Sequence, residues 1–132
     1  MIAHIVLFRP RPELSVGERE ALAAAFAAAL REIPTIRHAW VGRRFTHGRG
    51  YEQLMRVDYE YAAVLEFDDA KGLSGYLEHP AHQQLGEQFF SAFADALMYD
   101  FDLQEGHGGI EALVAGLRSG NVSPGDREET SH

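Results

Sequence analysis

The stretch DYEYAAVLEFDDAKGLSGYLEHP, residues 58–80, decides the fold. Its first ten residues alternate. Tyr59, Tyr61, Ala63, Leu65 and Phe67 fall on one face, and Asp58, Glu60 and Glu66 on the other. That period of two predicts a half-buried strand over 58–67. Asp68 and Asp69 are helix-capping residues, and Leu73, Tyr76 and Leu77 follow at helical spacing. His79-Pro80 ends this short helix, and Pro80 suits the first position of the next.

The chain reads outward from there in both directions. Ile2 to Phe8 is a strand, with Ile2, His4, Val6 and Phe8 on one face and Ala3, Ile5 and Leu7 on the other. Both faces are apolar apart from His4, so the strand is central or meets a partner. Ser15-Val16-Gly17-Glu18 has the form of a capping box. The alanine-rich helix it opens carries Leu22, Phe26, Ala29, Leu30 and Ile33 as its apolar stripe, and Pro34 stops it. Ile36 to Phe45 reads as a second strand, THGRG (46–50) as a turn, and 51–57 as ambiguous. After Pro80, Leu85, Phe89 and Phe93 are spaced four apart and predict a helix reaching Phe93. Leu97, Tyr99, Phe101 and Leu103 alternate with Met98, Asp100 and Asp102 in a closing strand.

The order β-α-β-β-α-β predicts a ferredoxin-like α+β fold, a four-stranded antiparallel sheet with helices on one face. The other sheet face, with Ala3, Ile5, Leu7, Ala62 and Val64, then lacks a cover. An apolar patch of that kind predicts a homodimer formed through it. The expected domain spans 1–103. Residues 104–132 hold six glycines and a polar end. They are expected to form a largely flexible tail with a short helix at 110–118, its last dozen residues disordered.

Composition narrows the function classes. With 132 residues there is one domain's worth of chain. A net charge of −8 disfavours nucleic acid and anionic lipid surfaces alike. Only Arg37, Arg43, Arg44 and Arg49 hint at a basic patch, read here as a solvated face. Zero cysteines exclude disulfides, thiol catalysis and cysteine-based zinc sites. A cytoplasmic protein is the expectation, with no membrane span and no signal peptide in MIAHIVLF. One lysine against eleven arginines suggests a bacterial gene.

The chemistry-bearing stretch is Tyr76-Leu77-Glu78-His79-Pro80-Ala81-His82. If a helix starts at Pro80, His82 lies within about 20° of Phe89 around the axis and so joins the inward stripe. Tyr76 points inward with Leu73 and Leu77. His4 shares its strand face with Val6 and Phe8. Three polar, proton-handling groups could therefore converge, although each could equally be a core residue satisfied by the backbone. His79 and His82 have the three-residue spacing of helical metal ligands. Pro80 stands between them and no acid has matching spacing, so no metal site is expected. His38 and His47 fit no ligand pattern, and no phosphate loop or serine elbow occurs.

These residues resemble a known family. The elements are His4-Ile5-Val6-Leu7-Phe8, then Ile33-Pro34 and Gly42, then Glu66-Phe67, then the Tyr-x-x-His-Pro-x-His run from Tyr76 to His82, then Asp100-Phe101. In this order they resemble the stress-responsive A/B barrel (Dabb) domain family, over residues 1 to about 103. The resemblance implies a dimeric α/β barrel in which two sheets pack through their uncovered faces. In a plant polyketide cyclase similar to this sequence, an intramolecular aldol condensation proceeds without cofactor or metal. The resemblance carries its base to His82, the partner tyrosine to Tyr76 and the early-strand histidine to His4. A third-strand histidine of that cyclase falls at about Tyr61, a departure. Three functions follow as expectations. The first is a cofactor-free acid/base enzyme, an aldol-type cyclase or isomerase acting on a ketide-like or aromatic small molecule. Its catalytic residues would be His82, Tyr76 and His4, and Tyr59, Tyr61, Phe67, His79, Phe89 and Phe93 would bind the substrate. The second is a non-catalytic stress-response or ligand-binding dimer. The third is a cofactor-free monooxygenase of the same fold.

Overall fold

The structure is a computed structural model, and it describes residues 1–119. The elements run β1 (Ile2–Pro10), α1 (Val16–Glu32), β2 (His38–Arg43), a 3-10 turn (Gly50–Leu54), β3 (Tyr61–Phe67), α2 (Ala70–Glu78), α3 (Pro80–Ala92), β4 (Phe93–Asp102) and α4 (Gly106–Ser119). Residues 1–101 form one compact unit, and a second begins at Asp102.

The four strands form one sheet in the order β2-β3-β1-β4. This is the ferredoxin-like arrangement expected from the element order. β1 and β3 pair antiparallel with His4 opposite Leu65, Val6 opposite Ala63 and Phe8 opposite Tyr61. Directly opposed residues share a face, so these six lie together under the helices. The buried core is continuous with them. Leu65, Phe67, Ala29, Ile33, Tyr76, Ala81 and Leu85 form one cluster, and Val6, Phe8 and Ala63 a second.

The helices are defined by their ends. Ser15 Oγ accepts from the Glu18 N–H at 3.1 Å and Glu18 returns a bond to the Ser15 N–H at 3.2 Å, the predicted capping box of α1. Asp69 accepts from the Gly72 N–H and caps α2. In α2, Gly75 faces Thr35, whose Cγ2 would lie 3.3 Å from an added Cβ. That close approach holds the turn carrying Tyr76 near the core.

Several sequence expectations need correction. β2 is His38–Arg43 and β3 starts at Tyr61, so both are shorter than their alternating patterns. Arg37 and Arg44 still bond through their backbone N–H to Glu66 and Glu60 carbonyls, just outside the ladder. Phe93 is the first residue of β4 and not part of a helix. α3 stops at Ala92, whose carbonyl accepts from the Arg11 N–H at 2.9 Å. The Phe93 ring nevertheless packs on Phe89 at 4.2 Å, because a strand start can reach the cluster that helical spacing suggested. Leu77 is 44% exposed, since α2 turns only Tyr76 and Leu73 toward the core. α4 is longer than the helix expected at 110–118, with Ile110, Leu113 and Leu117 exposed. The dozen residues expected to be disordered lie outside the described residues.

Candidate functional site

His79 and Pro80 set the geometry. His79 ends α2 and caps α3, its Nδ1 accepting from the Ala81 N–H at 3.0 Å. Pro80 locks the first φ of α3 and lacks the N–H that would go unpaired there. The chain therefore reverses between two short helices. Tyr76, in the last turn of α2, meets His82, in the first turn of α3, edge to face with ring centroids 4.6 Å apart. β1 brings His4 to the other side of Tyr76, at 5.6 Å. Phe67 of β3 packs on the same ring at 5.4 Å. Three elements thus deliver His4, Tyr76 and His82 to one place.

A fourth residue completes the group. His4 Nδ1 lies 2.6 Å from Asp100 Oδ1 on β4. A carboxylate oxygen accepts, so Nδ1 carries the proton of this bond, and Nε2 is the nitrogen left to face elsewhere. His4 is buried to 7% exposure, while the Asp100 side chain is about one-third exposed. The sequence reading named Asp100 only as part of a strand motif. The alternation of β4 carried the signal. Ala96 packs on the Phe8 cluster, and two and four residues on, Met98 and Asp100 share its face.

Electrostatics push the central pair in opposite senses. Burial, with the Asp100 carboxylate adding to it, lifts the Tyr76 phenol to about 12. Burial lowers His82 below its ordinary value; a hydrogen bond to the Leu77 backbone opposes this and the His4 charge reinforces it. A neutral imidazole keeps one ring nitrogen with its lone pair free to accept a proton. The phenol stays protonated and the imidazole unprotonated at neutral pH. A donor and a proton acceptor stand side by side.

The remaining candidates are dispersed. Phe67 is fully buried beneath Tyr76. His79 is held by its cap. Phe89 and Phe93 stack with Phe8 and Tyr61 toward the far end of the sheet. Tyr59 lies before β3 and donates to Asp95 at 3.3 Å. A cavity of about 890 Å³ opens at that far end, walled in part by Phe8, Tyr61 and Phe93. His82 and Tyr76 are not among its lining residues. Among the described residues no cluster of three or more His, Cys, Asp or Glu side chains could hold a metal. His38 pairs with Glu66 and His47 with Tyr51. Arg37 and Arg44 are paired with Asp68 and Asp58.

Comparison with known proteins matches residues 2–103 to the stress responsive A/B barrel domain, Dabb. The chain belongs to the Dabb family. Olivetolic acid cyclase of Cannabis sativa is 19% identical over 100 residues, covering 76% of this chain and 94% of the cyclase. Among solved structures, a dimeric ferredoxin-like protein of unknown function from Thermobifida fusca aligns with a TM-score of 0.61 at 24% identity, over 77% of this chain and 90% of its own. The hydroxynitrile lyase of Passiflora edulis aligns with a TM-score of 0.64 at 17% identity, over 80% and 94%. Both structural matches support the ferredoxin-like fold. Among the described residues no helix is long and apolar enough to cross a membrane.

Proposed function

We propose that this Dabb protein is a cofactor-independent acid/base enzyme acting on a ketide-like or aromatic small molecule. The contact between a buried phenol and an unprotonated imidazole carries this reading. His82 takes a proton from a carbon lying between two carbonyls, and the C–H electrons become an enolate. Tyr76 donates a hydrogen bond to the enolate oxygen, and its high pKa keeps that hydrogen in place. In a cyclisation the enolate carbon attacks a second carbonyl carbon, forming one C–C bond. The new alkoxide takes back the proton held on His82. In an isomerisation the proton returns to a different carbon. Asp100 acts as a positioning residue by fixing the His4 ring. The likeness to a cyclase supports the cyclisation branch.

The test is hydrogen–deuterium exchange at C2 of benzoylacetone, followed by NMR in buffered D₂O. The wild-type chain should accelerate exchange over buffer. His82→Gln keeps size and a hydrogen bond but removes the base, and should cut the accelerated rate by roughly 10²–10⁴-fold. Equal rates for both proteins would overturn the reading and favour the non-catalytic ligand-binding alternative, which the far-end cavity supports.

The working form in this proposal is a homodimer. The face opposite the helices presents Trp40, Leu97, Tyr99 and Phe101, between 37% and 61% exposed. Trp40 is in register with Val64, and Val64 with Ile5, so the patch runs across β2, β3 and β1. Light scattering should give about twice 14.7 kDa, and Trp40→Glu with Tyr99→Glu should halve it. A wild-type monomer at micromolar concentration would defeat the dimer.

A further inference from the structure

The sheet face opposite the helices is apolar through its middle and carries an ion pair at one end. Gly42, Ala62 and Leu7 form one row across β2, β3 and β1, and Trp40, Val64 and Ile5 form the next. His38, Glu66 and Ala3 form the third. In that row His38 Nδ1 lies 3.2 Å from Glu66 Oε2. The Glu66 side chain is one-quarter exposed and that of His38 two-thirds exposed. The imidazole also lies nearly parallel to the Trp40 indole, with ring centroids 6.5 Å apart. Arg37, the residue before His38, bonds to Asp68 at 2.7 Å and so does not compensate Glu66. The other titratable groups on this face are few. The Met1 ammonium precedes β1, two residues before Ala3. Tyr99 is on β4, at the opposite edge of the sheet from β2. Alternation carries Arg9, Glu60 and Asp95 onto the same face at its opposite end.

On a free protomer such a pair contributes little, because water already solvates both groups. A second sheet laid over the face changes that. An anionic Glu66 covered beside a neutral imidazole leaves a net charge stripped of water, and an imidazolium in the same place cancels it. In a two-fold dimer the seam holds this pair twice. We propose that the homodimer takes up protons at His38 as it forms, so that its sheet-to-sheet seam tightens as pH falls from 8 to 6. The inference rests on the homodimer of the proposed function and adds the groups that regulate it. A proton held more firmly in the dimer than in the free protomer favours the dimer at lower pH. The gain ends once His38 is protonated in both forms, and it reverses when Glu66 itself takes a proton and the ion pair is gone.

The experiment is sedimentation velocity of the full chain over a concentration series at pH 8 and pH 6, at fixed ionic strength. The wild-type dimer Kd should tighten by about tenfold or more, since uptake of one proton per dimer over one pH unit already makes a tenfold change. His38→Gln keeps a donor for Glu66 but cannot take up a proton, so its Kd should be the same at both pH values. Glu66→Gln removes the charge that needs cancelling. Its dimer should persist at pH 8 and should not tighten toward pH 6. Neither residue is buried in the free chain, so both variants should fold. A wild-type monomer at both pH values defeats the homodimer and this proposal with it. A wild-type dimer whose Kd is unchanged, or weaker at pH 6, overturns the proposal and leaves the homodimer standing. So does His38→Gln that tightens as wild type does, which would assign the proton to another group.

Discussion

β1 places His4 and Phe8 on the same sheet face, four residues and about 13 Å apart, and their surroundings differ in kind. Around Phe8 every ring contact is to a phenylalanine or a tyrosine. Phe93, Tyr61 and Phe89 lie 4.7, 5.6 and 5.8 Å away, ring centre to ring centre. Around His4 every near ring or bond involves a polar atom: the Asp100 carboxylate, the Tyr76 phenol and, beyond it, His82. Both residues are 7% exposed. Equal burial therefore conceals two different jobs. The aromatic end is held by contact area. The polar end is held by hydrogen bonds that also fix which nitrogen carries a proton.

Truncation at the two ends should separate those jobs. Phe8→Ala should cost about 3 kcal/mol, the low end for a buried phenylalanine because the neighbouring cavity lets the site relax. His4→Leu keeps the volume and removes the bond to Asp100. That carboxylate is about one-third exposed and can turn to water, so the cost should stay near 1 kcal/mol. Urea denaturation midpoints measure both. A His4→Leu penalty as large as that of Phe8→Ala would make the polar end ordinary core.

The sequence carried the element order, the capping box at Ser15 and the inward-facing positions of His4, Tyr76 and His82, because each rests on a local pattern. What it missed depends on how elements meet. Asp100 was visible as an alternating strand residue, but its bond to His4 needs the neighbouring placement of β1 and β4. Phe93 was given to a helix because a four-residue spacing looks the same until the helix end is fixed. Tyr61 and Phe93, expected from their apolar positions to wall a pocket, do line the far-end cavity. Its width was not legible, because periodicity reports which way a face points but not the gap between two faces.

Alkaline pH sharpens the comparison further, since the polar end carries the buried phenol of Tyr76. A phenol that ionises near 12 in the folded chain and near 10 when unfolded contributes on the order of 3 kcal/mol. The folded value is raised, so that contribution is full below pH 10 and is lost as pH climbs toward 12. Tyr76→Phe removes the ionisable group, and its stability should fall less steeply than that of wild type over this window. Parallel profiles would mean that the Tyr76 phenol is not shielded as the structure has it.

The smallest effect is expected on the acid side, from His82. Its folded value lies below the ordinary histidine value of 6.5, with burial the main cause. Above pH 6.5 the ring is neutral in both folded and unfolded chains and contributes nothing to the slope. Below it, the unfolded chain takes up the proton more readily, so stability falls as pH drops, until the folded ring is protonated too. His82 is only half-buried, so water weakens the effect, and the slope should be shallower than the alkaline one. His82→Gln should flatten wild-type stability between pH 6.5 and 5, measured by urea midpoints at fixed ionic strength. Protonation of the same ring also removes the base, so exchange at benzoylacetone should fade over the same window. If stability keeps its slope in His82→Gln, another group is titrating. If the exchange rate of wild type stays flat while its stability falls, the proton acceptor is not His82, and the polar end loses the role that sets it apart from the aromatic one.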